Sequence, residues 1–251
     1  MRRDGSGDTC CPVKDGRRIA VVIPAYDEEE RVGRTVRGVP AFVDDVIVVD
    51  DASLDGTARA ARDVGDPRVT VVRHTHNRGV GAAIARGYAE ARALKADVIV
   101  VMAGDGQMDP DDLPAVIAPV LDGRADYVQG NRLDHPRASD MPLPRRIANG
   151  TIGWMTGHAL GNVSLGDSQC GYTAISGDLI DRLPLDRLWP RYGYPNDLVA
   201  WIALVGGRIR EVPVRPVYRG ERSGIRPWHA LVMVGLLVRG GVRLRLGALT
   251  R

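Results

Sequence analysis

The sequence contains few cysteines and no long apolar segment. Its three cysteines, Cys10, Cys11 and Cys170, make neither a disulfide framework nor a metal-binding cluster, which indicates a reducing compartment. No apolar signal-peptide region follows the N-terminal arginines, and no run of 18 apolar residues occurs. We therefore expect a cytoplasmic protein without a membrane-spanning helix.

An excess of charge of one sign is also missing. The sequence has 34 basic and 31 acidic residues, a near balance that argues against a general nucleic-acid binder. The signs are separated along the chain, however, because acids concentrate between Asp97 and Asp126 whereas the last 44 residues contain ten arginines and two acids. This asymmetry indicates a basic C-terminal end that faces an anionic partner.

The apolar pattern predicts a parallel sheet. The short apolar runs that alternate with helical segments are 19–23, 46–49, 69–72 and 98–102. Strands and helices in this order are typical of a doubly wound α/β sheet, which binds ligands at the carboxyl ends of its strands. A chain of 251 residues with 44% hydrophobic content can bury one sizeable core, so we expect one main domain.

Glycine-rich nucleotide-binding fingerprints are absent. The first predicted strand is followed by Pro24–Glu29 (PAYDEE), at the position where a dinucleotide-binding fold has Gly-x-Gly-x-x-Gly. The sequence also has no Walker A pattern, and it lacks the glycine-rich loop of a pyrophosphorylase-type nucleotidyltransferase after this strand. These absences argue against a dinucleotide-dependent enzyme, a P-loop enzyme and a nucleotidyltransferase.

The most informative segment is Val98–Asp112 (VIVVMAGDGQMDPDD). A wholly apolar strand ends there at an acidic loop, and open α/β sheets bind ligands at the carboxyl end of such a strand. Asp105 and Asp109 in this loop offer oxygen ligands that suit a hard divalent cation shared with substrate phosphates. The alternative is a solvated turn before a helix that begins at Pro110.

The second half of the chain adds further polar loops. A strand at 127–130 is followed by a proline-containing loop after Arg132, which we expect to form a mobile segment over the site. Asp167 lies in a loop that enters a later strand, and Asp197 lies near the start of a helix. For Asp197, the alternative role is that of an N-cap.

Four segments form an ordered set of motifs. They are Val21–Glu29 (VVIPAYDEE), Val48–Ser53 (VVDDAS), Asn77–Ala83 (NRGVGAA) and Gly104–Pro110 (GDGQMDP). In order and spacing they resemble the family-2 inverting glycosyltransferases of GT-A fold, most closely the polyprenyl-phosphate branch that includes dolichyl-phosphate mannose synthase. The resemblance covers roughly residues 18–223. It implies an α/β GT-A fold, with a doubly wound, mostly parallel sheet made of a Rossmann-like nucleotide-binding half and an acceptor half.

The resemblance implies a donor site for a UDP- or GDP-sugar. The residues that would line the nucleotide sugar are Pro24, Ala25, Tyr26, Glu28, Asp50, Asp51, Gly79, Asp105 and Gly106. Asp50 would hydrogen-bond the base, while Asp105 and Gln107, with help from Asp109, would hold Mg²⁺ or Mn²⁺ against the diphosphate. The commonest form of the motif has an acid where this chain has Gln107, and a neutral amide attracts a cation less strongly.

The resemblance also assigns catalytic and acceptor residues. Three acids would take part in catalysis, namely Asp105, Asp167 and Asp197. Asp167 would lie near the transferred sugar, and Asp197 would be the general base if the acceptor were a hydroxyl. Arginines at positions that match the acceptor-phosphate site of the lipid branch are Arg132, Arg146, Arg219 and Arg222. Arginine suits this task because its guanidinium binds phosphate with two hydrogen bonds, although each arginine alone is also typical of a solvated surface.

The chain ends are predicted to lie outside the catalytic domain. We expect a disordered tail at 1–17, the GT-A domain at 18–226 and a basic amphipathic helix at 227–251. The apolar core of this helix is too short to span a bilayer, and the nearby Arg239, Arg243 and Arg245 favour a position in the membrane interface. The alternative is a helix that packs on the catalytic domain or on a second subunit.

These expectations define one function and two alternatives. The predicted enzyme transfers a sugar from a nucleotide-diphosphate sugar to a polyprenyl phosphate, depends on a metal, binds no nucleic acid and contacts the inner face of the cell membrane peripherally. Whether it is a homodimer is left open. One alternative keeps the donor but uses a soluble hydroxyl acceptor, as in natural-product or polysaccharide glycosylation. The other is a catalytically silent nucleotide-sugar binding module, suggested by Gln107.

Overall fold

The structure is a computed structural model that describes residues 16–160, 165–217 and 227–249. Its strands are β1 (Ile19–Ala25), β2 (Asp45–Asp50), β3 (Val69–Arg73), β4 (Val98–Val101), β5 (Tyr127–Asn131), β6 (Thr173–Ser176) and β7 (Ile209–Pro213). Its α-helices are α1 (Glu29–Gly38), α2 (Thr57–Arg62), α3 (Val80–Ala93), α4 (Leu113–Leu121), α5 (Leu143–Ala159), α6 (Gly177–Ile180), α7 (Tyr194–Leu204) and α8 (Pro227–Leu249). The predicted tail at 1–17 lies almost entirely outside the described residues.

The strands form one sheet in the order β3-β2-β1-β4-β6-β5-β7. The pairs β1–β2, β2–β3, β1–β4 and β5–β7 are parallel, whereas β6 runs antiparallel to both β4 and β5. The predicted doubly wound, mostly parallel sheet is therefore confirmed. The reversal at β6 is not predicted by the apolar pattern, which carries no information on strand direction.

Both faces of the central strands are buried, which explains their continuous apolar sequences. Along β1, Val21 and Ile23 contribute to the core under α1, α2 and α4. Their neighbours Ala20 and Val22 contribute to the opposite core under α3, α6 and α7. Successive side chains of a strand point to opposite faces, so one apolar strand supplies both cores.

The strand order reverses between β1 and β4, and the carboxyl ends of these two strands lie side by side. Beyond the last paired residues, Met102 N–H donates to Val22 C=O at 3.0 Å and Gly104 N–H donates to Pro24 C=O at 3.1 Å. A Cβ on Gly104 would lie 3.2 Å from Ala25 Cβ, closer than most such contacts. Glycine thus lets the acidic loop lie against the end of β1, at the position where this fold class binds ligands.

Helix α8 packs against α7 and α5. Met233, Leu236 and Leu237 on its inner face are buried. The helix lies where the sequence predicts a C-terminal helix, and its contacts correspond to the alternative of packing on the catalytic domain. None of the described helices combines the length and apolarity needed to cross a membrane.

Candidate active site

A cleft of about 650 Å³ opens where β1 and β4 end. Its volume is in the usual range for small-molecule sites. Five residues that the sequence assigns to the site line this cleft: Pro24, Glu28, Asp105, Gln107 and Arg132. The structure thus brings the end of β1, the acidic loop after β4 and the end of β5 together around one space.

The loop after β4 presents Asp105 and Gln107 to the cleft. Gln107 N–H donates to Asp105 Oδ1 at 2.9 Å, and Gly106 between them has a φ of 72°, a conformation that glycine adopts readily. Burial raises the pKa of Glu28 above its ordinary value. The ion pair with Arg31 at 3.0 Å opposes this rise, and the negative charge of Asp105 adds to it. Glu28 and Asp105 therefore make one wall of the cleft acidic.

Asp109, predicted as an additional metal ligand, contacts the turn that follows it and a distant arginine. Its carboxylate caps the 3₁₀ turn Pro110–Asp112 by accepting from Asp111 N–H at 3.1 Å, and it forms an ion pair with Arg215 at 3.1 Å. Asp112 Oδ2 accepts from the backbone N–H of the same arginine at 2.7 Å. Both carboxylates thus hold the segment after β7. These contacts are those expected for the alternative interpretation of this part of the loop, a turn before a helix that begins at Pro110.

Asp50 and Asp51, at the end of β2, are buried. Asp50 Oδ1 accepts from Ser53 N–H at 2.9 Å, while Oδ2 lies 3.1 Å from Arg73 Nε without forming a hydrogen bond within the described residues. Asp51 accepts from the N–H groups of Arg78 (2.8 Å) and Gly79 (2.7 Å), which precede α3. Asp51 therefore shapes the loop before α3, whereas Asp50 keeps one acceptor oxygen without a hydrogen bond.

The remaining predicted donor residues surround the end of β1. Tyr26 is exposed, and Ala25 is buried with its carbonyl accepting from Asp51 N–H at 2.9 Å. The next residue ties this loop to the loop after β2, because Asp27 Oδ1 accepts from Leu54 N–H at 2.8 Å and Asp27 N–H donates to Ser53 Oγ at 3.0 Å. The two loops thus form one rigid edge beside the cleft.

Asp167 is fully buried and does not line the cleft. Arg132 binds it with two hydrogen bonds, Nε to Oδ2 at 2.7 Å and Nη2 to Oδ1 at 3.0 Å, and Asn149 Nδ2 lies 3.3 Å from Oδ1. Arg132 itself lines the cleft. This geometry does not support direct contact of Asp167 with a sugar. The carboxylate instead fixes the orientation of an arginine that faces the substrate space.

Asp197 is also fully buried and is absent from the described residues that line the cleft. Its Oδ2 accepts from Trp189 N–H at 2.9 Å, and its Oδ1 accepts from Arg243 Nη1 of α8 at 3.0 Å. A general base must reach the proton that it removes, and this carboxylate is already engaged on both oxygens. The alternative of an N-cap is wrong, because Gly193 occupies the cap position of α7.

The arginines that line the cleft are only partly those predicted for the acceptor phosphate. On α5, Arg145 lines the cleft and Arg146 is absent from the described lining residues, since one residue along a helix turns the side chain by about 100°. Arg31 and Arg215 line the cleft as well. The predicted Arg219 and Arg222 lie outside the described residues. The described cleft thus has an acidic wall at Glu28 and Asp105, and it is also lined by four arginines: Arg31, Arg132, Arg145 and Arg215.

Comparison with known proteins identifies the family. The sequence model of the family described as "Glycosyl transferase family 2" matches residues 20–172. The chain belongs to glycosyl transferase family 2. The undecaprenyl-phosphate mannosyltransferase of Micrococcus luteus is 34% identical over 92% of this chain and 99% of that protein. The UDP-N-acetylglucosamine–dolichyl-phosphate N-acetylglucosaminyltransferase of Methanococcus voltae is 30% identical over 88% of this chain and 92% of that protein.

Solved structures show the same fold. A crystal structure of glucosyl-3-phosphoglycerate synthase from Mycobacterium tuberculosis, in complex with Mn²⁺, UDP and glucosyl-3-phosphoglycerate, aligns with a TM-score of 0.70 at 23% identity. The alignment covers 96% of this chain and 86% of that chain. The predictions of a family-2 glycosyltransferase, a GT-A fold and a transferase enzyme are therefore confirmed. The family match ends at Tyr172, so Asp197 and α8 lie beyond it.

Two residues that contact predicted site residues, His74 and Glu211, are not singled out by the sequence. His74 Nδ1 lies 2.7 Å from Asp51 Oδ1, and Glu211 on β7 accepts from Gly166 N–H and Asp167 N–H. Burial raises the pKa of Glu211. His74 directly follows β3 and lies two residues after the predicted strand 69–72, a position that could have singled it out. Glu211 follows Arg210 within the short strand β7 and gives no such signal.

Proposed function

We propose that the chain transfers one sugar from a UDP- or GDP-sugar to the phosphate of a polyprenyl phosphate, with a divalent metal and with inversion at the anomeric carbon. The observation that carries this proposal is the cleft itself. It joins an acidic wall, Glu28 and Asp105, with arginines that face the same space, Arg132 and Arg145. The acidic wall suits a metal with a nucleotide diphosphate, and the arginines suit a second, anionic substrate.

Asp105 and Gln107 would be the metal ligands, because a carboxylate and an amide offer the oxygen atoms that Mg²⁺ and Mn²⁺ prefer. Within the described residues, no group of three or more His, Cys, Asp or Glu side chains could enclose a cation. The donor set therefore fits a cation that is shared with the substrate diphosphate. When bound, the metal would neutralise charge on the leaving diphosphate. The Mn²⁺ and UDP in the glucosyl-3-phosphoglycerate synthase complex support a divalent metal together with a nucleoside diphosphate.

The donor base would lie over the edge formed by the loops after β1 and β2. Asp50 Oδ2 is buried beside Arg73 at 3.1 Å but accepts no hydrogen bond within the described residues, so it is the proposed acceptor for an N–H group of the base. Pro24 lines the neighbouring part of the cleft, and Tyr26 is exposed beside it. These residues support a nucleotide donor, and both uracil and guanine offer such N–H groups.

A phosphate acceptor is favoured by the engagement of Asp197. A hydroxyl acceptor needs a base within hydrogen-bond reach, whereas both oxygens of Asp197 accept hydrogen bonds from other groups of the protein. A phosphate monoester is already ionised and attacks without losing a proton. Its oxygen forms a bond to the anomeric carbon as the bond from that carbon to the diphosphate breaks, and the nucleoside diphosphate leaves. Arg132 and Arg145 would orient the attacking phosphate.

The names of the relatives in Micrococcus and Methanococcus, both transferases to lipid phosphates, support the polyprenyl acceptor. The second candidate is the soluble hydroxyl acceptor, here one that also carries an anionic group. It is favoured by the same arginines and by a glucosyl-3-phosphoglycerate synthase structure that contains phosphoglyceric acid. The silent binding module remains the third, because Gln107 replaces an acid at a metal position.

A membrane surface is the proposed location of the reaction. Two contacting helices carry exposed apolar side chains, which together we call the apolar face: Leu143, Ile147, Trp154 and Met155 on α5, and Val234, Val238, Val242 and Leu246 on α8. The residues on α8 repeat every four positions and so lie along one side of the helix. Exposed Arg239 and Arg245 on the same helix would attract anionic lipid headgroups. This combination supports contact with the surface of a bilayer.

The test is sugar transfer by purified protein. A panel of radiolabelled UDP- and GDP-sugars is incubated with a short polyprenyl phosphate and Mg²⁺ or Mn²⁺, with Asp105→Ala as the control. The proposal predicts label in the lipid phase for one donor and none in the control. Label in a soluble anionic acceptor would favour the second candidate. Donor binding without any product would leave the binding module.

A further inference from the structure

We propose that Arg243 on α8 is a positioning residue of the active site, which acts through Asp197 to hold the loop of residues 189–193. We call this segment the wall loop, because Tyr192 and Gly193 line the cleft. The inference rests on the proposed function insofar as the cleft is the place of transfer. It adds a role for the C-terminal helix, which lies outside the part of the chain that the family model matches.

The contacts form a short chain from α8 to the wall loop. Arg243 Nη1 donates to Asp197 Oδ1 at 3.0 Å, and Trp189 N–H donates to Asp197 Oδ2 at 2.9 Å. The Arg243 guanidinium carbon also lies 4.2 Å from the ring centroid of Trp201. The carboxylate is fully buried, and the arginine provides the opposite charge and a hydrogen bond that hold it in place. Asp197 can therefore orient the backbone where the wall loop begins.

Two further contacts confine the wall loop. On the side of α3, Ala82 N–H donates to Pro190 C=O at 3.1 Å, and a Cβ on Gly81 would overlap with the Trp189 carbonyl. On the side of α8, a Cβ on Gly193 would lie 2.9 Å from Leu236 Cδ1. The wall loop is thus packed between α3 and α8. A shift of α8 would move Tyr192 and Gly193, and these residues form the cleft wall.

This arrangement connects two sides of the molecule. On one side of α8, Arg243 and Leu236 hold the wall loop. On another side, Val238 and Val242 belong to the apolar face. A change in how α8 packs therefore reaches the cleft through Arg243 and Asp197. Loss of Arg243 should therefore misplace the wall loop. The loops after β1, β2 and β4 should stay intact, because no described contact of Arg243 involves them.

The test compares Arg243→Met with Arg62→Ala, a change at an exposed arginine at the end of α2, which has no role in the proposed site or membrane contact. In Arg243→Met, kcat for transfer should fall by about 100-fold, since small misplacements in an active site have effects of that order. The dissociation constant for UDP or GDP with metal should stay unchanged. Arg243→Lys should recover part of the activity because it retains the charge. Arg62→Ala should behave like the wild type in each assay.

A double-variant cycle and hydrogen exchange separate positioning from general stability. If Arg243 acts through Asp197, the loss caused by Arg243→Met should largely disappear in an Asp197→Asn background. The double variant removes both charges and so avoids an unpaired buried charge. Backbone amides of 189–193 should exchange faster in Arg243→Met than in the wild type. Amides of the loops after β1, β2 and β4 should exchange at the same rate in both.

The outcomes are distinct. Unchanged kcat in Arg243→Met, fully additive losses in the double variant, or unchanged exchange at 189–193 would each overturn the inference. If the wild-type protein makes no lipid-linked product, the proposed function fails. The exchange measurement then still decides whether Arg243 holds the wall loop, since it needs no acceptor.

Discussion

Arg132 and Asp167 form a bidentate ion pair in which the arginine faces the cleft and the carboxylate is fully buried, with N–O distances of 2.7 and 3.0 Å. Asp197 is likewise fully buried and forms an ion pair with an arginine, Arg243 of α8, through one hydrogen bond of 3.0 Å. Two of the three acids that the family resemblance assigns to catalysis therefore bind arginines instead of facing substrate. Buried carboxylates of this kind fix the direction of a cation, which matters where a phosphate must be oriented.

Asp167→Asn should weaken the use of the acceptor. The amide has no charge and pairs poorly with both guanidinium nitrogens, so Arg132 loses its fixed orientation. We expect kcat/KM for the acceptor to fall about tenfold or more, the equivalent of one lost charge-assisted hydrogen bond, with donor affinity unchanged. The free energy of unfolding should fall by about 1–3 kcal/mol. Steady-state kinetics with each substrate varied in turn and urea unfolding measure the two effects. Equal losses for donor and acceptor would contradict this role.

Gln107→Asp should strengthen metal binding. A second carboxylate beside Asp105 adds charge at a position that lines the cleft, and the charge of the ligands sets the affinity for hard cations. We expect the Mg²⁺ or Mn²⁺ concentration for half-maximal rate to fall about tenfold. The matched change Asp109→Ala should leave this concentration unchanged and cost about 1 kcal/mol of stability, because Asp109 caps a turn. A large change in metal requirement for Asp109→Ala would show that Asp109 is a ligand after all.

Gly81→Ala should displace the wall loop. Its new Cβ would overlap with the Trp189 carbonyl, and overpacking of this kind costs about 1–3 kcal/mol. Transfer activity should fall with stability. Gly235→Ala is the matched control within α8, since a Cβ there meets nothing within 4 Å. It should raise the free energy of unfolding by about 0.5–1 kcal/mol without changing activity. Thermal unfolding and rate measurements distinguish the two, and a stable, fully active Gly81→Ala would contradict the packing argument.

Glutamate in the apolar face should weaken binding to vesicles. Ile147→Glu and Val238→Glu each place a charge where we propose contact with acyl chains, and each should reduce partitioning onto phosphatidylglycerol-containing vesicles about tenfold. Leu54→Glu changes an exposed leucine in the loop after β2 and should have no effect. Binding of the wild type should also weaken at high salt, because arginines contribute through screened attraction. Co-sedimentation measures this, and equal binding by all variants would remove the membrane assignment.

The central sheet could be predicted from the sequence for a clear reason. Strands that are buried on both faces read as continuous apolar runs, and β1, β2 and β4 are of this kind. Asp105 was identified by its position after such a strand, which depends only on local sequence. The direction of β6 depends on pairing with β4 and β5, which lie far from it along the chain.

The partners of the buried acids could not be predicted in the same way. Arg132 lies 35 residues from Asp167, and Arg243 lies 46 residues from Asp197, so only the tertiary structure brings each pair together. The choice between Arg145 and Arg146 depends on the exact rotation of α5. An acid in a motif is thus visible in the sequence, whereas its availability to substrate is a property of the folded chain.

The most direct test is a comparison of two acceptors that differ only in the phosphate. The wild-type protein, with metal and the donor that supports turnover, is given a short polyprenyl phosphate or the corresponding polyprenol. The account predicts transfer to the phosphate alone, with rates that depend on Asp105 and Arg132 and with an inverted anomeric configuration in the product. Efficient transfer to the polyprenol, or to a soluble hydroxyl acceptor in preference to the lipid phosphate, would contradict it.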